Sequence, residues 1–94
     1  MDINKKKEML KRYKINQIEK KDLMKLGKEK EVEEIEKEQR KIENAISRLN
    51  GYERIVINKK YILNKSFEEI ADEINYSNSQ TRRFHESGIK HIII

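Results

Sequence analysis

Ser66 is followed three residues later by Glu69, and Ser77 three residues later by Gln80. Each pair is a capping box: the serine hydroxyl accepts from the backbone N–H three residues on, and the Glu or Gln side chain reaches back to the serine N–H. No other feature restricts the chain so strongly. Two helix starts eleven residues apart leave room for a helix of about two turns and a tight link, which is helix-turn-helix spacing. The first helix is expected to begin at Phe67, and the second to run from about Asn78 to Ile92.

The residues inside this unit agree with the spacing. Ile70 and Ile74 give the first helix an apolar stripe, and Ala71 places a small side chain where the second helix must cross. Asn75 stands at the turn site where Gly is usual, and Asn tolerates positive φ better than most residues. Tyr76 covers the corner. At about 100° per residue, Thr81, Phe84, Gly88 and Ile92 share one face of the second helix and should pack inward. Ser79, Arg82, Arg83, Glu86 and Lys90 point the other way. His85 lies at the edge of the packed face, as a core or boundary residue rather than a contact.

Upstream, residues 5–49 hold no Pro and a single Gly, amid strong helix formers. Helices over 3–25 and 29–49 are expected, with Gly27 as a bend or a tolerated interruption. In the second, Val32, Gln39 and Ile46 fall at heptad a positions and Ile35, Ile42 and Leu49 at d. Glu31, Glu36, Glu38 and Glu43 would flank that seam, so a parallel self-pair would oppose like charges. A basic first helix suits the seam better. It offers Leu10, Tyr13, Gln17, Ile18 and Met24 near one face, with Lys6, Lys14, Lys20 and Lys21 beside them. A helical hairpin, a single long helix and a self-coil all remain open on the pattern alone. Asn50-Gly51 reads as a helix stop. A third helix follows from about Tyr52 to Leu63, with Ile55, Val56, Tyr61 and Ile62 as core candidates.

The chain is therefore expected to be all-α, with a charged helical region over 1–50 for dimerisation or partner contact and a DNA-binding unit over 51–94. Only 35% of its 94 residues are hydrophobic and 41% are charged, so the core is small and a large enclosed substrate pocket is not expected. The absence of Cys removes disulfides, thiolate metal sites and cysteine nucleophiles together. His85 and His91 stand six apart, the wrong spacing for two ligands on one helix face, so no metal or other cofactor is expected. Glu68, Glu69, Asp72 and Glu73 resemble paired carboxylates but form the solvent face of a short helix with no nucleophile nearby, which argues against an enzyme. No apolar run suits a membrane span or a signal peptide, and a cytoplasmic location is expected. The formal charge is +5, with the excess base in residues 1–30, where eleven Lys or Arg face five acids. That balance favours a nucleic-acid partner.

If the second helix enters a major groove, Ser77, Asn78, Ser79, Gln80, Arg82, Arg83 and Lys90 are the candidate DNA contacts. Arg can form bidentate hydrogen bonds to guanine, and Asn or Gln to adenine; Ser can reach bases or phosphates. Backbone amides at the helix start suit a phosphate.

From Tyr52 to Ile92, "YERIVINKKYI", "KSFEEIADEI" and "YSNSQTRRFHESGIKHI" resemble, in order and spacing, region four of primary-type bacterial sigma factors. The whole chain, with "LKRYK" and "IENAISRLNGYERIVINKKYI", resembles the ArpU and RinA type of phage transcriptional regulators. Asn75 and Thr81 depart from the usual Gly and Val. The resemblance implies a phage-derived regulator that reads double-stranded DNA, with RNA polymerase and a second copy of the chain as further partners. It also lacks the promoter-melting region of a complete sigma factor. A phage small terminase subunit and a helical protein-binding adaptor are the alternatives. The terminal "HIII" either folds onto the core or joins a dimer contact.

Overall fold

The computed structural model describes residues 2–94 and is all-helical, with no strand among them. The helices are α1 (Ile3–Lys25), α2 (Glu29–Ser47), α3 (Gly51–Ile57), α4 (Phe67–Ile74) and α5 (Asn78–His91), and a π-helical turn, Asn58–Ile62, continues α3.

The Asp2 carboxylate caps α1 by accepting from the Lys5 N–H at 2.9 Å. Gly27 has φ +70°, which no helix interior accommodates, so α1 stops and α2 folds back along it. The predicted seam of α2 faces this partner: Gln39, Ile42 and Ile46 are buried, joined by Ala45, and Leu49 follows. Ion pairs align the two helices, Arg12 with Glu38 at 3.4 Å and Lys20 with Glu36 at 3.9 Å. Each contributes at most about 1 kcal/mol, so they set register more than stability. Burial, with the charge and hydrogen bond of Glu43, raises the pKa of the Tyr13 hydroxyl.

The buried stripe of α1 matches the expected one at Leu10 and Tyr13 and departs from it beyond them. It is Leu10, Tyr13 and Asn16, while Gln17 is exposed, and Ile18 and Met24 are 57% and 62% exposed. Position decided against residue type. Ile18 lies about 80° around the helix from Leu10, off the Leu10–Tyr13–Asn16 arc, whereas Met24 falls within that arc but stands at the end of α1, beyond its last buried residue, Asn16.

Leu10 and Tyr13 of α1, Ile42, Ala45, Ile46 and Leu49 from α2 and its exit, Ile57 of α3, Tyr61 of the π-turn, and Ile89 and Ile92 at the end of α5 form one core. The segments before and after Asn50-Gly51 thus share it. Of the three terminal isoleucines, Ile92 enters that core and Ile94 packs on its edge, but Ile93 is 79% exposed.

The third helix is not regular as far as Leu63. After Ile57 it widens, and the Leu63 N–H donates to the Asn58 carbonyl five residues back at 3.2 Å. Val56 and Tyr61 are buried as expected, while Ile55 and Ile62 are half-buried. Ile57, absent from the expected core, is fully buried because Gly88 of α5 approaches it closely. No described helix is long and apolar enough to cross a membrane.

Candidate nucleic-acid interface

The capping box at the start of α4 closes in both directions. Ser66 Oγ accepts from the Glu69 N–H at 3.2 Å, and Glu69 accepts from the Ser66 N–H at 3.2 Å. Ile70 and Ala71 turn inward, and the helix ends at Asn75 with φ 59° and ψ 41°, the left-handed conformation anticipated at that site. The Tyr76 N–H then returns to the Ala71 carbonyl at 3.2 Å.

The second box forms only one arm. Ser77 Oγ accepts from the Gln80 N–H at 3.1 Å, but the Gln80 side chain does not return to the Ser77 backbone. Its amide is left available for another partner. The Thr81 hydroxyl donates to the Ser77 carbonyl at 2.8 Å, so a buried polar group stands satisfied where an aliphatic residue would also fit.

Along α5, Thr81, His85, Gly88 and Ile89 are buried and Phe84 is half-buried. Ser77, Asn78, Ser79, Arg82, Arg83 and Lys90 are exposed, and Gln80 is half-buried. Ser79, Arg83 and Lys90 share the outward stripe, and neither Arg83 nor Lys90 has an ion-pair partner among the described residues. Arg82 differs from Arg83. Its guanidinium lies 4.4 Å from the Phe67 ring centroid, on the flank of α5 rather than at its crest.

Glu86 is the acid on this exposed side, and it is engaged. Lys7 pairs with it at 3.3 Å and His85 Nδ1 lies 3.1 Å away. Partial burial opposes its ionisation, but these two partners hold its carboxyl below the usual range. His85 Nε2 lies 2.7 Å from the Tyr61 hydroxyl. With Nδ1–H given to Glu86, Nε2 accepts from Tyr61, which fixes the neutral tautomer. Burial, outweighing the attraction of Glu86, lowers the His85 pKa; burial and the Glu86 charge push Tyr61 up to about 12. His85 is thus a core residue tied to the π-turn.

The opposite flank is held by three rings. Tyr52 meets Tyr76 at 4.9 Å and Phe84 at 5.1 Å, and Tyr76 meets Phe84 edge-on at 5.1 Å. Such pairs contribute about 0.5–1.5 kcal/mol each beyond area burial. Glu53 of α3 accepts from Ser87 Oγ at 2.7 Å and lies 2.6 Å from His91 Nδ1. Burial works against its ionisation, but these two hydrogen bonds lower its pKa. Of the four acids of α4, Glu69 serves the cap and Glu73 pairs with Lys59, at 2.7 Å, and Lys65. Among the described residues no group of three His, Asp or Glu could hold a metal ion.

The excess base of the N-terminal segment was legible as a candidate phosphate contact, but not which of its cations gather beside Arg82. Lys7 and Lys11 of α1 and Lys60 of the π-turn line the same groove as Arg82. No local pattern could have linked positions so far apart along the chain. No protein-family model matches this chain, and no curated protein or solved structure is significantly similar to it.

Proposed function

We propose that the chain is a sequence-specific, double-stranded DNA-binding transcriptional regulator of phage type, with α4 and α5 as a sigma region four-like helix-turn-helix and α1–α2 as a supporting helical hairpin. The observation that carries the reading is the presentation of α5. Its first two turns carry Ser77, Asn78, Ser79, Arg82 and Arg83 exposed, above a helix whose other side is locked by Thr81, His85, Gly88 and Ile89. A rigid helix with an unpaired Arg and short hydrogen-bonding side chains at its N-terminal end suits base-edge readout in a major groove. The left-handed Asn75 supports the tight turn such a unit needs.

The α2 seam packs against α1 of the same chain, so a homodimer would use another surface. RNA polymerase remains a partner of the proposed regulator, because one module of this size gives modest affinity alone. The test is selection of binding sites from a random duplex pool, followed by titration of the recovered site. A defined motif supports the reading; recovery of no motif from an active preparation refutes sequence-specific recognition.

A further inference from the structure

The hairpin docks on α5 in one orientation. α1 carries nine Lys or Arg against three acids, and α2 four against seven. It is the basic helix, α1, that packs against α5 and the π-turn. Two lysines hold it there. Lys6 Nζ donates to the Lys90 carbonyl at 3.0 Å, a cation at the C-terminal end of α5, and Lys7 pairs with Glu86.

Between α1 and α5 this docking leaves a groove of about 530 Å³ lined by Lys7, Lys11, Lys60 and Arg82 over Tyr61 and Phe67. An adjoining depression adds Lys14 beside Lys11 and Lys60. Glu86 is the single carboxylate in either lining, and it is held by Lys7 and His85. Lys11, Lys14, Lys60 and Arg82 have no ion-pair partner among the described residues. Lys59 and Lys65, by contrast, share Glu73.

The Phe67 ring holds two cations at once, Lys60 Nζ at 4.6 Å and Arg82 at 4.4 Å from its centroid. Those distances keep the two charges within about 9 Å of each other, comparable with the screening length in physiological salt (~8 Å), so they repel one another until an anion arrives. The ring therefore pre-positions a site whose missing component is negative.

We propose that the α1–α5 groove binds the phosphate backbone of the duplex whose bases α5 reads, with Lys11, Lys14, Lys60 and Arg82 as backbone contacts. This rests on the reading of α5 as the recognition helix and extends the interface to the N-terminal hairpin. Arg82 joins the two parts: it lies on α5 yet points into the groove, so it contacts phosphate and Arg83 contacts bases. The hairpin thus serves as half of a DNA clamp. No residue of its acidic helix, α2, lines the groove.

The experiment is titration of a mixed-sequence duplex and of the selected site, each at several salt concentrations, with the full chain, Lys11→Ala, the Lys11→Ala/Lys60→Ala pair, Arg83→Ala, and a Lys37→Ala/Lys41→Ala control on α2. Lys11 is exposed and has no ion-pair partner among the described residues, so its single variant keeps the test valid if the pair lowers stability. The log–log salt slope should become shallower by about 0.9 for each phosphate contact removed, with the control unchanged. A wild-type slope in both groove variants overturns the groove, and the recognition helix still stands if Arg83→Ala loses the selected site. Failure of the full chain to bind duplex DNA at low salt overturns both.

Discussion

Gly88→Ala tests the contact that seats α5. A methyl group there would lie 2.7 Å from Ile57 Cγ1, 3.2 Å from its Cδ1 and 3.4 Å from the Glu53 carbonyl oxygen. The nearest atom is at the root of the Ile57 branch, not its flexible end, and Ile57 is fully enclosed. Rotating away is therefore blocked. Overpacking of this kind costs about 1–3 kcal/mol, while replacing Gly by Ala inside a helix returns about 1 kcal/mol. The enclosed position places the balance on the unfavourable side, at roughly 1–2 kcal/mol. For a domain of this size each kcal/mol lowers Tm by roughly 4–8 °C. Thermal melts followed by circular dichroism measure it directly. A Tm equal to or above that of the parent would refute the close approach of α3 and α5.

Arg83→Ala should weaken binding to a selected site by roughly 1–3 kcal/mol while sparing scrambled duplex, whereas Arg82→Ala should weaken both alike; paired titrations on the two duplexes decide, and the reverse pattern would exchange the roles of the two arginines. Stability should fall with acidification first in an upper window set by His85. His85 has its pKa lowered from 6.5, so the unfolded chain takes the proton first. Its contribution is fully present above that value and is lost as pH falls from there toward the lowered folded value. Glu53, Glu73 and Glu86, held below 4.5, act in a lower window. Urea midpoints measured against pH should show the upper phase and should lose it in His85→Gln; a phase that persists there belongs to another group. Gln39 Nε2 is buried without a hydrogen-bond partner. Gln39→Leu removes that orphan donor and should stabilise the chain by about 1–2 kcal/mol in urea denaturation, and a loss of stability would reveal an amide in use.

The N-terminal half illustrates where pattern reading stops. The α2 seam was legible because its apolar residues recur at heptad spacing, and Ile42, Ile46 and Leu49 are indeed buried. The facing stripe of α1 was legible only at Leu10 and Tyr13, because a polar Asn16 completes it while the apolar Ile18 and Met24 stay exposed. Lys and Glu along both helices indicated pairing of opposite charge, yet only docking decides which helix stands beside α5.

The elements themselves are set by local chemistry. Ser66 with Glu69, Ser77 with the Gln80 N–H, Gly27 and Asn75 each act within a few residues, through one or two hydrogen bonds or one φ value, so the starts of α4 and α5, the stop of α4 and the break between α1 and α2 are readable in the chain. Exposure of Arg83 and Lys90 follows equally from helical periodicity. What periodicity cannot carry is contact between elements. The π-turn after Ile57, the Gly88 approach to Ile57, the Tyr61 and His85 pair and the convergence of Lys7, Lys11 and Lys60 on Arg82 exist only once helices distant in sequence are packed together. Packing, not spacing, decides those, because their energies depend on distances of a few ångströms across the core that no single segment encodes.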